Sequence, residues 1–216
     1  MLAFKGVLLV GLLSFSFAAY LDDKINVDVY FEALDAGCQD FVVNQLYPGT
    51  VNINDVITLN LIPLGKAYSF KNDSGVQWIC ENGPSECYLN KVYACITTFQ
   101  LTQVQKLSYI SCVASASSKS NSPDEIKALV KTCADKNNIQ AADLDTCVTS
   151  KGDDLLAGFE NRQNSLNPKL LFVPTIRFNN DENTAVEIDS RTNFTIAVCE
   201  SFSVWPPDVC LQFLDH

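Results

Sequence analysis

The chain has 216 residues, of which 47% are hydrophobic, enough apolar surface for a packed core. Its formal charge is −10 with a pI near 4.4, which argues against grip on a phosphate backbone, because nucleic-acid binders present basic surfaces. Nine cysteines are accompanied by a single histidine, the terminal His216, so zinc-finger ligand sets and Ser-His-Asp or Cys-His mechanisms lack a necessary member.

The N-terminus reads Met1-Leu2-Ala3-Phe4-Lys5, followed by an uncharged apolar run from Val7 to Phe17. Ser16 and Ala18 then stand at the spacing a signal peptidase prefers, which predicts a secretory signal over residues 1–18. The run is short of the ~20 residues a membrane span needs, and nothing later approaches that length, so no membrane span is expected. Residues 19–216 are expected to form a single domain. In a secreted chain the cysteines read as a disulfide framework, and neither a metal nor another cofactor is expected.

Ile25 to Tyr30 alternates as a buried strand does, and Phe41, Val42, Gln45 and Leu46 recur at helical spacing up to a stop at Tyr47-Pro48-Gly49. Between them lies Phe31-Glu32-Ala33-Leu34-Asp35-Ala36-Gly37-Cys38-Gln39-Asp40. A strand–turn–helix of this kind is where a thioredoxin-type redox site carries Cys-x-x-Cys. Here the turn is Asp35-Ala36-Gly37-Cys38. Asp is among the best N-cap residues and sets an anion where the helix terminus favours one, so the turn can keep its shape without the first sulfur. Asp35 holds the attacking position and Cys38 the resolving one. Cys38 lies a turn inside the helix beside a carboxylate, and both effects favour the thiol over the thiolate.

Val56 to Leu64 is a second strand, followed by a polar, turn-rich stretch from Ala67 to Val76. Within that stretch Asn72-Asp73-Ser74 is a glycosylation acceptor; Asn193-Phe194-Thr195 is the other, and at least one is expected to carry sugar.

Next comes Cys80-Glu81-Asn82-Gly83-Pro84-Ser85-Glu86-Cys87-Tyr88-Leu89-Asn90-Lys91-Val92-Tyr93-Ala94-Cys95. This stretch resembles the signature of the gamma-interferon-inducible lysosomal thiol reductase family, Cys-Gln-His-Gly-x-x-Glu-Cys-x-x-Asn-x-x-x-x-Cys. Cys80, Gly83, Glu86, Cys87, Asn90 and Cys95 match; Glu81 and Asn82 depart from the family's Gln and His. The likeness runs from Tyr30-Phe31-Glu32-Ala33-Leu34 to Pro207-Asp208-Val209-Cys210, and the details are closest to invertebrate members. It implies an α/β, thioredoxin-like fold with a helical insertion over about 86–163, stapled by disulfides, and a family chemistry of thiol–disulfide reduction. On the residues alone the signature reads as structural. Ser85 and Glu86 open a helix, the cysteines tie that helix to the loop before it, and Asn90 satisfies a buried backbone group.

Glu86 to Arg162 is helical in pattern. Leu101 to Ala116 is one segment, and the Ser-rich Ser115 to Asn121 is a solvated loop. Ser122-Pro123-Asp124-Glu125 opens a helix running to about Asp135: Ser at the N-cap, Pro first, Glu third. Two short helices are expected after it, Ala141 to Thr149 and Asp153 to Gln163. Leu171 to Phe178 returns to the sheet, and the resemblance implies a cis Pro174 opposite the altered turn. Ala185 to Ile188 is the expected partner strand and Thr192 to Ser203 the closing helix. Cys199 and Cys210 flank Trp205-Pro206-Pro207 and are expected to pair. Cys80, Cys87, Cys95, Cys112, Cys133 and Cys147 are read as structural with their connectivity open, and Cys38 is the odd one left.

These readings converge on a secreted or lysosomal glycoprotein with a thiol-reductase fold. Its reductase activity is expected to be lost or nearly so, leaving a monomer that binds a polypeptide or cell-surface partner through the groove around Asp35, Cys38 and Pro174. The alternatives are a weak thiol–disulfide oxidoreductase working through Cys38, and a dimer linked through that thiol.

Overall fold

The computed structural model describes residues 24–73, 75–181, 189–202 and 205–214. The expected signal over residues 1–18, the strand Ala185 to Ile188 and His216 lie outside the described residues.

Among the described residues three strands form the main sheet, in the order β2-β1-β5. β1 (Ile25–Phe31) is central and buried on both faces, with Val27, Val29, Tyr30 and Phe31 almost entirely out of water. β2 (Ile57–Pro63) runs parallel to it, Ile25 opposite Ile57 and Phe31 opposite Pro63. β5 (Thr175–Phe178) is antiparallel on the other side, Tyr30 opposite Thr175 and Val27 opposite Phe178. A parallel pair needs a crossover, and helix supplies it between β1 and β2.

That crossover begins as α1 (Ala36–Phe41), passes through a π-helical turn at Val42–Leu46, and continues as α2 (Tyr47–Ile53). Tyr47-Pro48-Gly49 therefore does not stop the helix, contrary to the expectation from Pro and Gly. The Tyr47 N–H reaches back five residues to the Val42 carbonyl, and this widened turn accommodates a proline that has no N–H to donate and a ring that crowds the preceding turn. Gly49 serves packing instead: a Cβ there would come within 2.6 Å of the Phe194 ring.

The stretch after β2 is not an irregular loop but a hairpin, β3 (Tyr68–Asn72) and β4 (Gly75–Ile79). Four helices follow before the sheet resumes: α3 (Pro84–Thr98), α4 (Gln103–Ala116), α5 (Pro123–Lys136) and α6 (Ala141–Asn164). Ser122 and Glu125 form a reciprocal capping box at α5, and Thr102 and Gln105 form another at α4. α6 is continuous where two short helices were expected. Its middle is clamped to α3 by the Cys95–Cys147 disulfide and the 2.5 Å Lys91–Asp153 ion pair, so tertiary contact overrides the weak propensity at Gly152. α6 also reaches the sheet, where Arg162 pairs at 2.5 Å with Asp28, a buried side chain of β1 that also accepts from Asn60.

After β5 come α7 (Phe194–Glu200) and α8 (Asp208–Leu214). α7 covers part of the predicted closing helix, Ser203 falling outside the described residues; α8 had no sequence signal assigned to it. The disulfide Cys199–Cys210 joins the two. Cys80–Cys87 fastens the start of α3 to the loop before it, and Cys112–Cys133 ties α4 to α5. Cys95 does not tie α3 to that loop, as the signature suggested, but reaches across to α6. A parallel βαβ unit, an antiparallel return strand entered through a cis proline, and a block of helices between the two make this an α/β, thioredoxin-like fold.

Candidate active site

Asp35 stands at the C-terminal side of β1 as the N-cap of α1, with extended backbone at φ −72° and ψ 126°. Its Oδ1 accepts the Cys38 N–H at 2.8 Å, the bond an N-cap side chain makes to the third residue of a helix. The carboxylate thus answers one of the donors that the first turn leaves open. Ala36 and Gly37 are exposed, and the Gly37 Cα faces Pro174, whose Cδ would lie 3.9 Å from a Cβ at that position. The Val173–Pro174 bond is cis, and Pro174 is buried against the turn. Asn167–Pro168, which carried no such expectation, is cis as well.

Cys38 is 0% exposed and is the free cysteine among the described residues. Its Sγ accepts the Glu32 N–H at 3.4 Å. Burial pushes the thiol far above its ordinary pKa, and the neighbouring Asp35 and Glu32 carboxyls push the same way, outweighing the Glu32 N–H. At any physiological pH this sulfur is protonated and shielded, and the nucleophile of disulfide exchange is a thiolate.

The segment between β1 and α1 is held from outside. Ala33 N–H donates to Asn90 Oδ1 at 3.0 Å and Leu34 N–H to Glu86 Oε2 at 3.2 Å, while Gln39 Nε2 donates back to the Ala33 carbonyl and on to Ser117. Glu86 is completely buried and also accepts from Asn82, through the backbone N–H at 3.0 Å and through Nδ2 at 2.5 Å. Both signature residues on α3 therefore act as acceptors for the backbone that presents the turn. The two positions that depart from the signature are engaged too: Asn82 on Glu86, and Glu81 in a 2.5 Å ion pair with Lys66.

Glu32 belongs to the site although the sequence reading assigns it no role. It is 1% exposed, Oε1 accepts the Lys66 N–H at 2.5 Å, and Oε2 is buried with no hydrogen-bond partner among the described residues. Its stem lies against Gly65, which at φ +60° is in the left-handed region and has no room for a side chain, since a Cβ would overlap the Glu32 Cγ. Desolvation raises the carboxyl to about 7; the Lys66 N–H opposes that, and Glu86 and Glu81 add to it. The available signal was a carboxylate inside the apolar run Val29-Tyr30-Phe31-Glu32-Ala33-Leu34, where no face of the strand meets water.

The remaining residues marked on sequence lie elsewhere. Asn72 is exposed at the tip of the β3–β4 hairpin, and Asn193 is exposed at the start of α7. Among the described residues no group of three or more His, Cys, Asp or Glu could hold a metal ion, and no helix is long and apolar enough to cross a membrane.

Comparison with known proteins points one way. The family profile "Gamma interferon inducible lysosomal thiol reductase (GILT)" matches residues 26–137. GILT-like protein 1 of Drosophila melanogaster is 30% identical over 206 residues, covering 90% of this chain and 81% of the relative. The gamma-interferon-inducible lysosomal thiol reductase-like protein of Anopheles gambiae is 29% identical over 220 residues, covering 97% and 88%. The Carassius auratus gamma-interferon-inducible lysosomal thiol reductase is 23% identical, covering 88% and 73%. Among solved structures, Chlamydia trachomatis DsbA superposes with a TM-score of 0.50 at 15% identity, over 73% of this chain and 75% of that one, a likeness of fold.

Proposed function

Because this chain belongs to the gamma-interferon-inducible lysosomal thiol reductase family, we propose that it keeps the family's scaffold while having lost, or nearly lost, dithiol reductase activity, and that it works by binding. The observation that carries this reading is the turn itself: a carboxylate caps the helix where the attacking sulfur would stand, and the one remaining thiol is fully buried. A reductase cycle needs one sulfur to attack and a second to resolve the mixed disulfide. Here the attacking position carries oxygen. The partner in this reading is an extended polypeptide lying across Asp35, Gly37 and Pro174, where exposed turn backbone meets the strand entered through the cis proline.

The rest of the reading follows the secretory pathway. The signal is removed after Ala18, residues 19–216 act as one domain, sugar is added at Asn72, Asn193 or both, and the product is secreted or delivered to lysosomes. The four disulfides suit an oxidising compartment. The burial of Cys38 disfavours a dimer linked through that sulfur, which supports the monomer of this reading.

Turnover of a model disulfide by the parent and by Cys38→Ser, at acid and neutral pH, tests the proposal. Negligible turnover by both supports it. Substantial turnover that disappears with Cys38 would establish the residual-enzyme alternative instead.

A further inference from the structure

The β3–β4 hairpin has two unlike faces. Ser69 and Trp78 are cross-strand neighbours on the inner one, where Ser69 N–H and Oγ bond to Glu160 of α6 at 2.8 and 2.6 Å, and Trp78 packs against the buried cluster that includes Leu64, Cys80 and Leu156. The pairs Tyr68–Ile79, Phe70–Gln77 and Asn72–Gly75 make the outer face. Three large apolar side chains stand exposed there: Tyr68 at 55%, Phe70 at 44% and Ile79 at 44%. A soluble protein seldom leaves two aromatic rings and an isoleucine in a row without something to cover them. The outer face also carries, at the hairpin tip, the acceptor asparagine of the sequon Asn72-Asp73-Ser74.

We propose that the first N-acetylglucosamine attached to Asn72 lies back over the Phe70 ring, with Tyr68 extending the platform, so that the hairpin's exposed aromatic face is the seat of the chain's own glycan. In the attachment step the Asn72 amide nitrogen displaces the lipid pyrophosphate of the oligosaccharide donor and loses a proton. Side chains two apart on a strand share a face and stand about 7 Å from one another, roughly the reach of one sugar ring back from the amide. One face of an N-acetylglucosamine ring presents axial C–H groups, and the electron-rich face of a phenyl ring attracts such weakly positive hydrogens. The second acceptor serves as a control, since the residue two before Asn193 is Arg191 and not an aromatic.

This inference rests on the glycoprotein reading above, and the test separates the two. The parent, Asn72→Gln, Phe70→Ser and the double variant are expressed in a eukaryotic secretory host, with occupancy at Asn72 read by mass spectrometry and thermal midpoints compared. Asn72→Gln should lower the midpoint more when Phe70 is present than when it is serine, by roughly 2–4 °C, the size of one aromatic contact in a domain of this length. Phe70→Tyr should keep that difference, and enzymatic trimming of the parent's glycan to its first sugar should leave the midpoint unchanged. Occupied Asn72 with no difference between the two backgrounds overturns the stacking and leaves the glycoprotein reading intact. An unoccupied Asn72 overturns both at this site. Should Phe70→Ser fail to fold, the trimmed parent decides by NMR: absence of contacts between Phe70 ring protons and the first sugar refutes the proposal.

Discussion

The turn at Asp35–Cys38 and the stretch from Cys80 into the first turn of α3 at Glu86 bear on the same short segment, Glu32 to Leu34. On the α3 side Cys80 is paired with Cys87, Glu81 with Lys66, and Glu86 with three donors. On the turn side a carboxylate has the cap, and the lone sulfur is buried without a second sulfur. The geometry of the turn is thus maintained by polar contacts delivered from α3. It keeps its shape with a carboxylate at the cap.

The largest effect should come from completing the turn. Asp35→Cys places a thiol at the helix terminus, where the dipole and open N–H groups favour the thiolate, and rebuilds Cys-x-x-Cys. Reduction of a model disulfide should rise by roughly a hundredfold or more over the parent, with Asp35→Ser staying inactive. No gain in correctly folded Asp35→Cys would mean that the missing sulfur is not what limits disulfide reduction at this turn.

The supporting side is tested next. Glu86→Ala strips the acceptor from Leu34 N–H and from both Asn82 donors in a fully buried place, and should cost about 3 kcal/mol by denaturant unfolding. Glu86→Gln, which keeps one acceptor oxygen, should cost distinctly less. Equal, small losses for both would show that α3 does not hold the turn through Glu86.

Glu32 gives the comparison a pH axis. Its carboxyl is raised from an ordinary 4.5 to about 7, so the folded state binds this proton more tightly than the unfolded one. Its contribution is complete below about pH 4.5 and is lost as pH rises through 7, an order-of-magnitude change of about 3 kcal/mol. Urea midpoints of the parent should fall across that window, and those of Glu32→Gln should be flatter. A parent that gains stability over the same range contradicts the assignment.

The smallest effect belongs to the cap. Asp35→Ala leaves the Cys38 N–H without its side-chain acceptor and should cost about 1 kcal/mol, while Asp35→Asn should cost little. If alanine is also neutral, the turn is held entirely from outside.

Much of this arrangement was legible in the sequence because its signals are local. The N-cap Asp35, the Ser122 capping box and the alternation of β1 each depend on a few adjacent residues. The failures came where distant contacts decide. Pro48 and Gly49 look like a stop until the π turn and the Phe194 ring are seen, and Gly152 looks like a break until α3 is packed against it. The hairpin at Tyr68–Ile79 was hidden by polar residues that belong to its solvent-facing tip. The role of Glu32 depends on Gly65 and Lys66, more than thirty positions away.

The placement of the cross-links has a consequence for how the molecule breathes. All four lie at or beyond Cys80, while the β1–α1–α2–β2 unit carries Cys38 alone and is secured by packing. A chain covalently reinforced in one part should open first in the other. The sealed thiol then becomes a built-in clock. In native buffer its labelling rate would count how often α1 parts from β1, reporting one local excursion while the cross-linked helices stay closed.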